Sequence, residues 1–178
     1  CGGCASVVIG LGGTPLVVGQ KFKQWLSLYD AETHVAGDKI LVRCFVASNT
    51  DVLVLEIDDQ RETPQPIHVK LSMWRAPEVV TGDHSARYQF SESKGSVAIV
   101  QTFNEKDHHC ESAVAVRVQN ERAEIQRVDE RTRAVVAPAR RGKRVVLISS
   151  AASLAELEKA SQRNVPAEEA FSILQTVE

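Results

Sequence analysis

The stretch FKQWLSLYDAETHVAGDKILVRCFVASNTDVLVLEIDD, from Phe22 to Asp59, decides the fold class. In FKQWLSLYDAETHV, the even-numbered and odd-numbered residues from Phe22 to Tyr29 form two distinct faces, and this period of two predicts one strand. A turn is predicted at Ala36–Asp38, and the apolar run after it predicts a second strand over Lys39–Ala47. The segment therefore begins as an alternation of strands and turns.

The next apolar run follows a second predicted turn. Ser48–Asp51 is rich in residues that bond their own backbone, so it is predicted to be a turn. Val52–Asp58 is nearly continuous in apolar character, and this predicts a strand that is covered on both of its faces. Asp59–Pro66 contains two prolines, which do not fit inside a central strand, and it is predicted to be a loop.

The pattern of short strands continues over most of the remaining sequence. Ile67–Trp74 alternates cleanly, with Ile67 and Met73 among the residues predicted to face inward and Trp74 among those predicted to face outward. Short strands separated by turn signals are typical of a sandwich or barrel, so the fold class is mainly β. Further strands are predicted at Ser85–Phe90, Ser96–Phe103, Ser112–Val118, Ala123–Val128 and Arg144–Ala151.

The character of the sequence changes after residue 152. Ser153 followed by Glu156 forms a capping-box pattern, which predicts a helix beginning at Ser153. The segment after Pro166 has apolar residues at helical spacing, which predicts a second helix. We therefore divide the chain into an N-terminal segment (1–20), a β-sandwich domain (21–152) and a linker-like part with two short helices (153–178).

Composition and charge exclude several classes of protein. The chain has 178 residues, of which 43% are hydrophobic and 25% charged, close to the average of soluble globular proteins. The net charge of −2 provides no broad positive field, which argues against nucleic acid or an anionic membrane as the main partner. The first residues also lack the basic leading region that is typical of a signal peptide.

Two clusters of Cys, His, Asp and Glu residues are candidate metal-binding sites. Cys1 and Cys4 form a C-x-x-C pair, and DHHCE at Asp107–Glu111 is the densest group of potential ligands. Adjacent histidines on an extended chain point to opposite faces, so His108 and His109 are not placed to share one ion. Frayed terminal thiols and a polar hairpin end are the simpler interpretations. The sequence therefore predicts no metal, no cofactor and no catalytic residues.

One group of polar and aromatic residues suggests a binding surface. Trp74 is predicted to face outward beside Arg75, with His84 and Tyr88 a short distance along the chain. Aromatic rings stack on sugar rings, and arginine and histidine hydrogen-bond their hydroxyls, so these four residues are candidates for carbohydrate contact. The alternative is that Trp74 packs under a loop or against the helical tail.

Several motifs carry a resemblance to a known family. DDQRETPQPI (58–67), VAIVQTFNE (97–105) and VVLISSAAS (145–153), together with the Phe22–Val35 segment, resemble the N-terminal β-sandwich domain of bacterial α-L-fucosidase-like glycoside hydrolases. Their catalytic part is an (α/α)6 barrel. The first twenty residues depart from the family's pattern, and no position here matches a catalytic carboxylate.

This resemblance implies both a fold and a role. The expected fold is an antiparallel, supersandwich-like β-sandwich with a short C-terminal helical segment. The expected role is a non-catalytic accessory domain whose partner is a downstream (α/α)6 catalytic domain or a second copy. Related hydrolases are mostly periplasmic or extracellular. The alternative functions are a free-standing carbohydrate-binding module and a protein–protein interaction module.

Overall fold

The structure, a computed structural model, describes residues 5–16, 21–156 and 166–177. Within these residues the chain is mainly β, with thirteen strands followed by one helix. The strands are β1 (Ser6–Gly10), β2 (Phe22–Ser27), β3 (Glu32–Gly37), β4 (Ile40–Val46), β5 (Val52–Asp59), β6 (Ile67–Ser72), β7 (Glu78–Thr81), β8 (His84–Ser93), β9 (Ser96–Glu105), β10 (His108–Val118), β11 (Glu124–Arg127), β12 (Thr132–Ala137) and β13 (Gly142–Glu156), and the helix is α1 (Pro166–Gln175).

The strands form two antiparallel sheets of unequal size. The small sheet has four strands in the order β1-β6-β12-β11, and the large sheet has nine in the order β2-β3-β4-β5-β13-β10-β9-β8-β7. The sheets face each other as an antiparallel β-sandwich, which confirms the predicted fold class. Because the large sheet has more than twice as many strands, parts of it extend beyond the small sheet.

The main hydrophobic core lies between the two sheets. Ile67, Val69, Leu71 and Met73 point into it from β6 and the residue after it, as the alternation predicts. The large sheet contributes Ile57, Val97, Ile99, Val116 and Val146. Full burial of a side chain of this size stabilises a fold by about 1.5–3 kcal/mol, so this layer is the main source of stability.

A second, smaller core lies on the other side of the large sheet, which we call the outer face. Helix α1 packs there, with Ala167, Ala170 and Leu174 buried against the sheet. The sheet provides small residues beneath the helix, including Ala98, Ala113 and Ala115. The Ser149 hydroxyl donates a hydrogen bond of 2.7 Å to the carbonyl oxygen of Ala170. Strand β5 contributes Val54 to this core and Ile57 to the main one, so it is covered on both faces as predicted.

The strand predicted over residues 22–35 is in fact a hairpin. β2 ends at Ser27, a turn occupies residues 28–31, and β3 pairs back in antiparallel register. The Ser27 hydroxyl bonds the Asp30 carboxylate at 2.7 Å, and Ala31 adopts a φ of 55°. Leu28 and Tyr29 are apolar and continue the period of two, so the sequence pattern gives no sign of the turn in which they lie. The next turn lies at Asp38–Lys39, slightly later than predicted.

The helix predicted to begin at Ser153 is wrong over the residues that are described. β13 continues through Glu156, and its backbone pairs with β10 as far as His108. Tertiary pairing therefore outweighs the local capping-box pattern at Ser153 and Glu156. The rest of that predicted helix, 157–165, lies outside the described residues, as do Cys1 and Cys4. The second predicted helix is confirmed as α1.

Three strands were not predicted. β1, β7 and β12 have four to six residues each. β1 pairs with β6, so part of the N-terminal segment belongs to the small sheet. Of the described segments, α1 included, none is a helix with the length and apolar character needed to cross a membrane.

Candidate functional site

A row of polar and aromatic side chains crosses the outer face of β2, β3, β4 and β5. Antiparallel register places Trp25 opposite His34, His34 opposite Arg43, and Arg43 opposite Glu56. Directly opposed residues share a face and have Cβ atoms about 4.5–5.5 Å apart, so these side chains contact their neighbours in turn. We call these four residues the outer row.

Arg43 connects the outer row through two carboxylates. Its guanidinium donates to Glu56 Oε2 at 3.0 Å and also to Glu32, and it lies 4.5 Å over the Phe45 ring. His34 Nε2 lies 3.1 Å from the second Glu32 oxygen. The hydrogen bond from Arg43 lowers the pKa of Glu32, and the same bond raises the pKa of Arg43. The centre of the row is therefore held by charge-assisted hydrogen bonds.

Aromatic stacking fixes the end of the outer row at the edge of the sheet. The Trp25 and His34 rings lie parallel, with centroids 4.7 Å apart. The Lys23 ammonium is 4.8 Å from the Trp25 centroid, within the range of a cation–π interaction. These contacts order the side chains of β2 although the strand is exposed.

Next to the outer row is a recess of about 250 Å³. It is lined by His34, Leu41, Arg43, Glu56, Asp58 and Lys143. Donors and acceptors of both signs converge there, which suits a small polar ligand. Glu56 and Asp58 lie on the same face of β5, and they are the nearest approach to a carboxylate pair around this recess. Glu56 forms an ion pair with Arg43, and Asp58 accepts a 2.6 Å hydrogen bond from Gln60.

The structure separates the four residues that the sequence nominates for carbohydrate contact. Trp74 is 69% exposed, as predicted for an outward-facing residue, and His84 is also exposed, 3.6 Å from Glu105. Arg75 and Tyr88 are buried. Only Trp74 and His84 are therefore accessible to a ligand at the surface.

Arg75 is occupied by contacts inside the protein. Its guanidinium donates to the carbonyl oxygens of Ala86 and Arg87 and to Gln101 Oε1, at 3.1–3.3 Å. It also lies 5.5 Å from the centroids of both the Tyr88 and Phe103 rings. Burial lowers the pKa of Arg75 and raises the pKa of Tyr88. The role of Arg75 is thus to join strands, which sequence adjacency to Trp74 does not indicate.

The DHHCE cluster lies at a hairpin end, as the simpler interpretation predicts. Lys106 and Asp107 form the turn between β9 and β10. His109 Nδ1 is 2.5 Å from Asn104 Oδ1, and its Nε2 is 3.1 Å from Glu111, while His108 is exposed. Over the described parts of the chain, no group of three His, Cys, Asp or Glu side chains is placed to hold a metal ion.

A buried charge cluster explains part of the DDQRETP motif. Asp59 accepts hydrogen bonds from Arg61 Nε at 3.0 Å and Nη2 at 2.7 Å, and Arg144 Nη2 lies 3.5 Å away. The bonds from Arg61 lower the pKa of Asp59. Arg61 also donates to the carbonyl oxygens of Leu11 and Gly12, so it ties the segment after β1 to the end of β5. The cluster is structural, and sequence reasoning missed it because Arg144 comes 85 residues after Asp59.

Two comparisons with known proteins find no match for this chain. No protein-family model matches it, and no curated protein does.

Proposed function

We propose that this chain is a non-catalytic accessory β-sandwich domain that packs beside the catalytic domain of a carbohydrate-active enzyme of the glycoside hydrolase class. The motif resemblance suggests this role, and the sandwich fold is compatible with it. The role requires a surface that a second protein body can cover.

The observation that carries the proposal is the exposed apolar tip of the β2–β3 hairpin. Leu28 is 85% exposed and Tyr29 is 98% exposed, and both lie in the turn, away from either core. Clustered exposed apolar residues are a common mark of a surface that a partner covers. We define Leu28 and Tyr29 as the hairpin tip.

The arrangement of the charged groups around the recess supports a non-catalytic role. Glycoside hydrolysis uses two carboxyl groups in different protonation states on opposite sides of a bound sugar. Glu56 and Asp58 instead come from one face of one strand, and Glu56 is paired with Arg43. Their arrangement favours holding the sheet together over acid–base catalysis.

The first experiment is a hydrolysis assay of the chain on a panel of aryl glycosides, alongside its Glu56→Gln and Asp58→Asn variants. We expect no turnover from any of the three. Hydrolysis by the parent that either substitution abolishes would overturn the proposal and would place an active site at the recess.

The second experiment tests docking through the hairpin tip. In a polypeptide that also contains the catalytic domain, amides 28–31 should exchange with deuterium more slowly than in the chain alone. Leu28→Ser/Tyr29→Ser should remove that difference, whereas the exposed Val128→Ser on another part of the surface should not. Equal exchange in both contexts would contradict packing at this tip.

A second candidate function, carbohydrate binding, is favoured by one observation, the exposed Trp74 ring. The test is calorimetric titration of glycans into the parent and into Trp74→Ala, with His84→Ala as a second variant. Binding that Trp74→Ala abolishes supports the module. Binding that survives both substitutions would place the sugar elsewhere.

A further inference from the structure

Strand β2 is an open edge of the large sheet. It pairs with β3 on one side, and on its other side the structure describes no strand. Five of its six residues are exposed, and they include the large side chains of Phe22, Trp25 and Leu26. An exposed edge presents unpaired N–H and C=O groups that can pair with another chain, and natural proteins usually blunt such edges with charges, prolines or bulges. β2 has a single charge, Lys23, and no proline.

The sequence of β2 is complementary to itself when it is read in the antiparallel direction. Around Gln24, the order is apolar, cation, amide, aromatic, apolar, from Phe22 to Leu26. A two-fold axis through Gln24 places Phe22 opposite Leu26 of a second copy and Lys23 opposite Trp25 of that copy. Each contact then occurs twice, as in any interface formed by one surface with itself.

The pairs created by this register are favourable on both faces. On one face, Phe22 meets Leu26, an aromatic–aliphatic contact. On the other face, Lys23 meets Trp25, a cation–π contact of the kind that the same two side chains already make within the strand at 4.8 Å. Gln24 meets its own equivalent, and two side-chain amides can exchange hydrogen bonds.

Neighbouring registers are less favourable. A two-fold axis through Lys23 would place two ammonium groups directly opposite each other, which is destabilising. An axis through Trp25 would pair the two Trp25 rings, but it would place Leu26 opposite Gln24 and Lys23 opposite Ser27, so both Lys23–Trp25 cation–π contacts would be lost. The arrangement of charges and apolar groups therefore selects the axis at Gln24.

We propose that two copies of this chain associate through antiparallel pairing of their β2 strands, with the two-fold axis at Gln24. The pairing joins the two large sheets into one continuous sheet. This interface does not depend on the accessory role, which uses the hairpin tip and a different partner.

The main test is sedimentation velocity over a range of concentrations, on the full chain and two edge variants. The parent is expected to form a dimer. Trp25→Lys places a lysine opposite Lys23 of the other copy and should raise the dimer Kd at least about tenfold. Lys23→Glu/Trp25→Lys replaces those like charges by Glu–Lys pairs and should restore the dimer.

This double variant separates the interface from folding. Both variants lack the Trp25–His34 stack, so a simple loss of hairpin structure would affect them equally. The matched control, Leu28→Ser/Tyr29→Ser at the hairpin tip, should leave the dimer Kd unchanged. It also distinguishes failure of this interface from failure of the accessory role.

Cysteine crosslinking tests the register. Gln24→Cys should form an intermolecular disulfide under mild oxidation beyond the level of the parent, because the two residues are directly opposed. Lys23→Cys should not, because the two equivalent positions lie diagonally, too far apart for a bond.

Three results would overturn the proposal. They are a parent that stays monomeric at all concentrations, a dimer that Trp25→Lys leaves unchanged, and crosslinking that is more efficient from position 23 than from position 24.

Discussion

The buried cluster of Asp59, Arg61 and Arg144 gives the sharpest test of the packing. Asp59 and Arg144 are 1% and 2% exposed, so neither group can exchange its partner for water. Asp59→Asn removes the negative charge, and the guanidinium groups of Arg61 and Arg144 then stay buried without a counter-charge. Breaking a buried ion pair in this way costs about 3–5 kcal/mol. This is a large share of the roughly 5–15 kcal/mol that stabilises a typical domain.

The assay is reversible urea unfolding, with thermal melting alongside it. For a chain of this length the melting temperature should fall by about 6–20 °C, at roughly 2–4 °C per kcal/mol. The control is Glu62→Gln, which removes an exposed ion pair to Lys39 and should leave the midpoint within error of the parent. A loss of less than about 1 kcal/mol for Asp59→Asn would refute the conclusion that the cluster is desolvated.

The same cluster predicts a dependence on pH, with a definite sign. The pKa of Asp59 in the folded protein is lower than the value of about 3.9 in the unfolded chain. Its contribution to stability is therefore complete above about pH 5 and is lost as the pH falls through the folded value. Between pH 5 and pH 3, the stability of the parent should decrease more steeply than that of Asp59→Asn. A variant with an equal or steeper slope would contradict this assignment.

Three further predictions concern the outer face, the hairpins and a thiol. Leu174→Ala should destabilise the protein by about 2–5 kcal/mol because the Leu174 side chain is completely buried between α1 and the large sheet, whereas the exposed Gln175→Ala should change little in the same urea titration. Gly37→Ala should lower the free energy of unfolding by about 1–3 kcal/mol, since the added Cβ would lie 2.7 Å from the Pro15 carbonyl oxygen. The control is Gly10→Ala, whose added Cβ would have no neighbouring atom closer than 3.6 Å. Equal melting temperatures of the two variants would refute this prediction. Burial raises the pKa of the Cys44 thiol, so Cys44 should react with an aromatic disulfide reagent more slowly in the folded protein than in urea, as followed by mass spectrometry.

The sequence predicts the strand-rich body because the period of two is a local property. β6 has a clean alternation from Ile67 onward, and β5 is apolar on both faces, so both strands were predicted with nearly the observed bounds. The errors arise where local patterns conflict with pairing between distant segments. The apolar Leu28 and Tyr29 continue the alternation through a turn, and the capping-box pattern at Ser153 lies in a strand that pairs with β10.

The candidate site was less predictable than the fold, for a physical reason. The outer row is assembled by register across β2, β3, β4 and β5, and no local motif records which residues become opposed. Arg75 illustrates the converse error. Its position beside Trp74 suggested a shared ligand, yet Arg75 lies in the bend after β6 and its guanidinium donates to two carbonyl oxygens of β8.

Two sheets of unequal size leave the β2–β3 hairpin exposed, and we propose that it contacts other proteins. Amide hydrogen–deuterium exchange on the Trp25→Lys variant tests this most directly. We expect the slowest exchange in β10 and β13, which are covered by the small sheet on one side and α1 on the other, and fast exchange in β2. Protection of β2 equal to that of β10, or rapid exchange in β10, would contradict it.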